Sequence, residues 1–156
     1  LLPVDITGKN IRLGISLSDL YKKLATYPVK GAYVFLDACF SGGYKSAAPL
    51  LAQKGVRVVP KVGLPQGNTL SFSSSSGDQT SSVYHEKKQG YYTYFLIRTI
   101  RDAKGNISMK ELFDRTSAAM KRATALIDKI QEPQCMASPT WIGWEDIKLE
   151  TPVVTP

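Results

Sequence analysis

The chain has 156 residues, 43% of them hydrophobic and 21% charged, which is the composition of one ordinary globular domain with a core of its own. No apolar run approaches the roughly 20 residues a membrane-spanning helix needs, and two cysteines far apart in sequence exclude a disulfide-framework protein. The formal net charge of +7 is scattered, with short clusters only at Lys22-Lys23, Lys87-Lys88 and Lys121-Arg122. No nucleic-acid motif accompanies them, so the excess reads as a solvated basic surface rather than a nucleic-acid interface.

Leu1-Leu2-Pro3-Val4-Asp5 has neither a basic start nor a small-residue cleavage site, so it does not read as a secretory signal, and a cytoplasmic location is slightly favoured. It is expected to be a short edge piece, because Pro3 opposes a central strand. Ser16 or Ser18 is placed to cap a helix running to about Ala25, with Leu17, Leu20, Tyr21 and Leu24 on one face. Tyr27-Pro28 ends it. A strand is expected over residues 32–37. Residues 44–54 read as a helix interrupted early by Pro49, with Leu50 and Leu51 inward. The spacing of a phosphate-binding loop is absent there. Residues 56–59 read as a short strand or an extended connection, and residues 63–68 as a loop broken by Pro65 and Gly67.

Leu70-Ser71-Phe72-Ser73 alternates like a strand. The serine run of residues 73–76 extends it as an ordered strand end, because apolar residues precede it and a dense polar motif follows. Residues 90–101 predict a helix that is apolar nearly all round, as a buried helix is. Lys104-Gly105-Asn106 is a turn. Ser108 and Glu111 form a capping box for a helix expected to reach about Ile130, with Leu112, Phe113, Thr116, Ala119 and Met120 inward. Residues 131–139 read as irregular, Trp141-Ile142-Gly143-Trp144 as a final strand or packed arm, and residues 151–156 as a loose tail.

The chemistry concentrates in Tyr33-Val34-Phe35-Leu36-Asp37-Ala38-Cys39-Phe40-Ser41-Gly42-Gly43. A short apolar run of strand length ends in a carboxylate, a small residue, a thiol and two glycines. A strand fixes the position of a thiol at its C-terminal end, and glycines let backbone and substrate approach closely. Asp37-Ala38-Cys39-Phe40-Ser41-Gly42 resembles the nucleophile motif of the caspase-like cysteine peptidases, the metacaspase and bacterial branch more than animal caspases. The resemblance recurs at Ser75-Ser76-Gly77-Asp78-Gln79-Thr80-Ser81, at Glu86, and at Gly90-Tyr91-Tyr92-Thr93-Tyr94-Phe95-Leu96. It implies an α/β fold, a three-layer caspase-like sandwich whose mostly parallel central sheet is flanked by helices. Residues 1–150 are then the C-terminal portion of one catalytic domain.

A cysteine peptidase needs a thiolate, a histidine that accepts and returns the proton, and donors for the oxyanion. The resemblance makes Cys39 the nucleophile and its backbone N–H one oxyanion donor. In the caspase signature the histidine lies about 50 residues before the cysteine. Here no histidine precedes Cys39, so the base is expected upstream of Leu1, in the N-terminal part of the same domain. The chain's single histidine, His85, sits in the polar stretch Tyr84-His85-Glu86-Lys87-Lys88 and reads as a solvated surface residue, not the base.

Asp37 lies two residues before Cys39 and on a strand points to the same side. A carboxylate there favours Arg or Lys before the scissile bond and repels Asp. Asp78 matches a second family position associated with that pocket, and Ser75 and Ser76 line it or pair with the substrate backbone. The expected partner is therefore a peptide with a basic residue before the cleaved bond. No cofactor or metal is implied, because one histidine and two distant cysteines build no zinc site and no calcium-loop spacing occurs. A non-catalytic caspase-like module that binds peptides or proteins is the alternative.

Overall fold

The computed structural model describes residues 13–38, 63–76 and 81–149. Helix α1, Leu17–Ala25, starts at Ser16, whose hydroxyl accepts from the Asp19 N–H at 3.2 Å. It buries Tyr21 completely. Strand β1, Ala32–Leu36, pairs in parallel with β2, Thr69–Ser73, in the register Ala32 to Thr69 through Leu36 to Ser73. A later strand, β5, Gln134–Ala137, lies antiparallel on the other edge of β2, with Leu70 opposite Ala137 and Ser73 opposite Gln134. The sheet order is β1-β2-β5, so β2 is central.

Every residue of β2 is buried, and its alternation explains how. Leu70 and Phe72 enter one apolar cluster with residues of the two long helices. Between them, Ser71 turns to the opposite face, where its hydroxyl oxygen accepts from the Tyr21 hydroxyl at 2.7 Å. Helices therefore lie on both faces of the sheet. Small serines on the α1 side leave room for a tyrosine ring to lie close.

Between β2 and those helices, β3, Val83–Tyr84, and β4, Gln89–Gly90, form a small hairpin around a 3-10 turn, His85–Lys87. Helix α2, Tyr91–Asp102, follows directly. The turn at Lys104 and Gly105, both at positive φ, leads to α3, Met109–Ala125, which Ser108 caps by accepting from the Glu111 N–H at 3.2 Å. Met109, Leu112 and Met120 from α3 join Leu70, Phe72, Tyr92, Phe95 and Trp141 in the core.

Three details differ from the sequence expectation, and a choice between two alternatives is decided. Helix α2 is amphipathic rather than apolar all round. Tyr91, Tyr92, Phe95 and Thr99 face inward, while Ile97 is 52% exposed beside Arg98 and Arg101. Helix α3 stops at Ala125, not near Ile130. There the N–H groups of Ile127 and Lys129 both turn back to the Thr124 carbonyl, and Asp128 takes a positive φ. The stretch 131–139 contains β5, a short strand whose apolar residues were masked by prolines on either side. Residues 141–144 form a turn into a 3-10 helix, Trp144–Asp146, so this is a packed arm and not a strand. Trp141 rests against Tyr33 with ring centroids 5.8 Å apart.

The described sheet has one parallel and one antiparallel pairing. With helices on both faces it is consistent with a three-layer α/β arrangement without completing one. The expected edge piece at residues 1–5, the helix at 44–54, the connection at 56–59 and the tail lie outside the described residues.

Candidate active site

The site is organised by the C-terminal end of β1. Pairing with β2 continues past both strands: the Ser74 N–H donates to the Leu36 carbonyl at 2.9 Å, and the Ser74 hydroxyl to the Ala38 carbonyl at 3.4 Å. The serine run thus tracks the chain to the residue before Cys39. Cys39 itself, with its backbone N–H, and Asp78 lie outside the described residues.

Asp37 is exposed, yet its carboxylate is firmly held. Oδ1 accepts from the Ser81 hydroxyl at 2.6 Å. Oδ2 accepts both from the Thr93 N–H at 3.2 Å and from the Thr93 hydroxyl at 2.6 Å. Thr93 is in the first turn of α2, whose N-cap residue, Gly90, has no side chain to offer. The Asp37 carboxylate does that work from a distant part of the chain, satisfying one of the helix's orphan N–H groups at the positive end of its dipole. Gly90 permits this approach, because a Cβ there would overlap Asp37 Oδ2. The neighbouring phenol of Tyr92 is pushed well above its ordinary value, first by burial and then by the charges of Asp37 and Cys135.

A carboxylate has about four acceptor sites. Three donors reach Asp37 from the described residues, two of them on Oδ2. Among the described residues the site left open is on Oδ1, which suits one further N–H donor rather than a two-pronged contact.

Ser75 is buried, and its hydroxyl has no hydrogen-bond partner among the described residues. Ser76 is half-buried. Behind them lies Gln131, 1% exposed, which binds two separate segments. Its Nε2 donates to the Ser74 carbonyl at 3.0 Å and to the Ser81 hydroxyl oxygen at 3.3 Å, and its Oε1 accepts from the Ser82 N–H at 2.9 Å. Asp37, Ser81, Thr93, Ser74 and Gln131 are therefore one connected polar cluster.

His85 is exposed on its 3-10 turn. Cys135 carries a free thiol on β5, held neutral at a pKa of about 12 by burial first, then by the Asp114 and Glu145 carboxylates. It is no nucleophile at neutral pH. Among the described residues, no three His, Cys, Asp or Glu side chains gather as a metal site would require.

Sequence reasoning found Asp37 and the serine run but gave no role to Ser81, Gly90, Thr93 or Gln131. One signal was present. Gly90 stands at the N-cap of a strong helix without a capping side chain, so the cap had to come from elsewhere.

An α/β sheet with helices on both faces, and a carboxylate held two residues before a cysteine in the sequence, is consistent with a domain of the caspase type. The comparison with protein families agrees: the caspase-domain model matches residues 1–140, and the chain belongs to that family of cysteine peptidases. A search of the curated proteins found no match.

Proposed function

We propose that this chain carries the nucleophile and the specificity carboxylate of a caspase-like endopeptidase that cleaves after Arg or Lys, of the metacaspase and bacterial kind. The observation that carries the reading is the Asp37 carboxylate. It is exposed, fixed by Ser81 and Thr93, and among the described residues has one acceptor site open on Oδ1. At an effective dielectric near 20, two unit charges 4 Å apart interact by about 4 kcal/mol, which favours a basic substrate side chain there and disfavours an acidic one.

In this reading the Cys39 thiolate attacks the carbonyl carbon after the basic residue. The oxyanion is held by the Cys39 N–H, the amine leaves with a proton from the histidine, and water hydrolyses the thioester. Asp78 adds negative charge to the same pocket. Ser75 and Ser76 meet the substrate backbone, which would give the Ser75 hydroxyl the partner it lacks among the described residues. Asp37 disfavours the thiolate by its charge, so activation falls to the histidine, placed by this reading N-terminal to Leu1. The competing reading, a non-catalytic peptide-binding module, is favoured by the chain's single histidine being the exposed His85.

The test is cleavage of fluorogenic peptides ending in Arg, Lys or Asp by the intact gene product, with Cys39→Ala as control. Cleavage after Arg and Lys that is lost in Cys39→Ala supports the proposal. Cleavage only after Asp overturns the role of Asp37, and cleavage that survives Cys39→Ala overturns Cys39 as nucleophile. A folded protein that binds basic peptides without cutting them is the binding module.

A further inference from the structure

Helices α2 and α3 pack side by side and leave between them an outward-facing groove of about 510 Å³. Phe95, Arg98 and Asp102 contribute one helical stripe, and Arg115, Ala119 and Arg122 the other. Both sets follow the spacing of a single helix face. Three guanidinium groups thus line the groove with the Asp102 carboxylate, and the Glu111 carboxylate meets Arg115 beside them, over a floor that includes Phe95 and Ala119.

Local pairing covers two of the three guanidinium groups and leaves a net charge of one arginine. Arg98 meets Asp102 through Nε at 3.5 Å, and Arg115 meets Glu111 through one terminal nitrogen at 3.2 Å. Both pairs are about half exposed, and such solvent-screened pairs are weak. Each leaves other N–H donors of its guanidinium unused. Arg122 is exposed and has no carboxylate partner among the described residues. The chain has little of its own to fill the groove. Outside the described residues the sequence holds only Asp5, Asp78 and Glu150, no two of them in one segment.

We infer that the α2–α3 groove is a docking site for an extended acidic segment of another protein, one with two or more Asp or Glu residues. The arginine forks match carboxylates in shape as well as charge. The apolar floor suits the intervening side chains of a peptide. Each stripe spans seven residues of rise, about 10 Å, the length of roughly three extended residues. That is short for a nucleic-acid backbone, whose single-strand sites run to about four nucleotides or more. The inference stands apart from the peptidase reading, because it concerns binding alone.

Fluorescence anisotropy with a labelled octapeptide of alternating Glu and Ala tests it. The intact protein should bind saturably, more weakly as salt rises from about 50 to about 300 mM. Arg122→Glu should weaken binding about tenfold or more, and the milder Arg122→Gln less. The same peptide with Gln for Glu should not bind. Lys30→Glu, an equal charge change at an exposed residue away from the groove, should leave binding intact; far-UV circular dichroism checks each variant's fold. The inference is overturned if the acidic peptide fails to bind, if Arg122→Glu binds as the parent does, or if Lys30→Glu weakens binding equally. Tighter binding of a single-stranded oligonucleotide to the same groove also overturns it.

Discussion

Asp37 is held by Thr93 through both a backbone and a side-chain donor on one oxygen, and by Ser81 on the other. Removing only the Thr93 hydroxyl, as Thr93→Val does at nearly constant volume, leaves the carboxylate one donor short and less firmly held. Under the proposed cleavage after Arg or Lys, KM for such substrates should rise by about threefold to tenfold with a smaller change in kcat, because one charged hydrogen bond is worth about 1.5–3 kcal/mol and only part of it fixes orientation. Thr93→Ser should restore KM. Steady-state kinetics of the three proteins decides the matter, and an unchanged KM in Thr93→Val removes Thr93 as a positioning residue. Cys135 gives a second prediction at this scale. Its thiol is raised to about 12 from an ordinary 9.0, so the folded state favours the protonated form. The stability this confers is fully present below about pH 9 and is lost as pH rises toward 12. Iodoacetamide at neutral pH should therefore leave Cys135 unmodified in the native protein and modify it after denaturation, as peptide mass mapping would read. Labelling of native Cys135 at the unfolded rate contradicts the assigned burial.

Helix α3 is the element whose design is most local. Ser108 accepts from the Glu111 N–H, Glu111 pairs with Arg115, and Lys110 pairs with Asp114 at 2.6 Å, all within the first two turns. Ser108→Ala should lower stability by about 1 kcal/mol in urea unfolding, and Ser108→Asp should keep it, since either oxygen caps the same N–H. A loss in Ser108→Asp equal to that in Ser108→Ala would show that the site needs something other than a cap. Locality also explains what the sequence revealed. The Ser16 cap, one of two candidates, the Ser108 half of the expected capping box, the alternation of β2 and the helical face of Tyr21 involve partners within a few residues or a fixed period, and the structure holds each of them. What escaped reading depends on distant partners. The four residues of β5 form a strand only because the buried β2 offers a free edge. Helix α2 exposes Ile97 because Arg98 and Arg101 fix the outward face, and its N-terminus is completed by a carboxylate 53 positions before its capping glycine. Composition and periodicity contain no such information. The family resemblance reached Asp37 but assigned no role to the donors that hold it.

At the scale of the whole molecule, the problem is to hold together segments that belong to different layers. The sheet joins β1, β2 and β5, but the loop before β3 and the connection after α3 share no strand with it. Gln131 makes that junction. One buried amide links the end of β2 at Ser74, the chain at Ser81 and Ser82, and the connection that carries it toward β5. Ser81 then passes the constraint to Asp37. Replacing Gln131 by Leu fills a similar volume but leaves the Ser82 N–H and the Ser74 carbonyl buried without this partner. Each such group costs about 1–3 kcal/mol, so a loss of about 2–4 kcal/mol in urea unfolding is expected. Gln131→Glu tests the direction of the bonds. A carboxylate keeps the acceptor for Ser82 but loses the donors to Ser74 and Ser81, and only its protonated form regains one. Burial raises the carboxyl pKa, so the folded state holds the proton more tightly than the unfolded chain. Gln131→Glu should then be nearer the parent in stability at about pH 5 and fall behind as pH rises toward about 8. Parent-like stability of Gln131→Leu would mean that the layers are joined by apolar packing alone. A rise in KM for basic substrates in Gln131→Leu, alongside the stability loss, would trace the constraint from the buried amide through Ser81 to the substrate pocket.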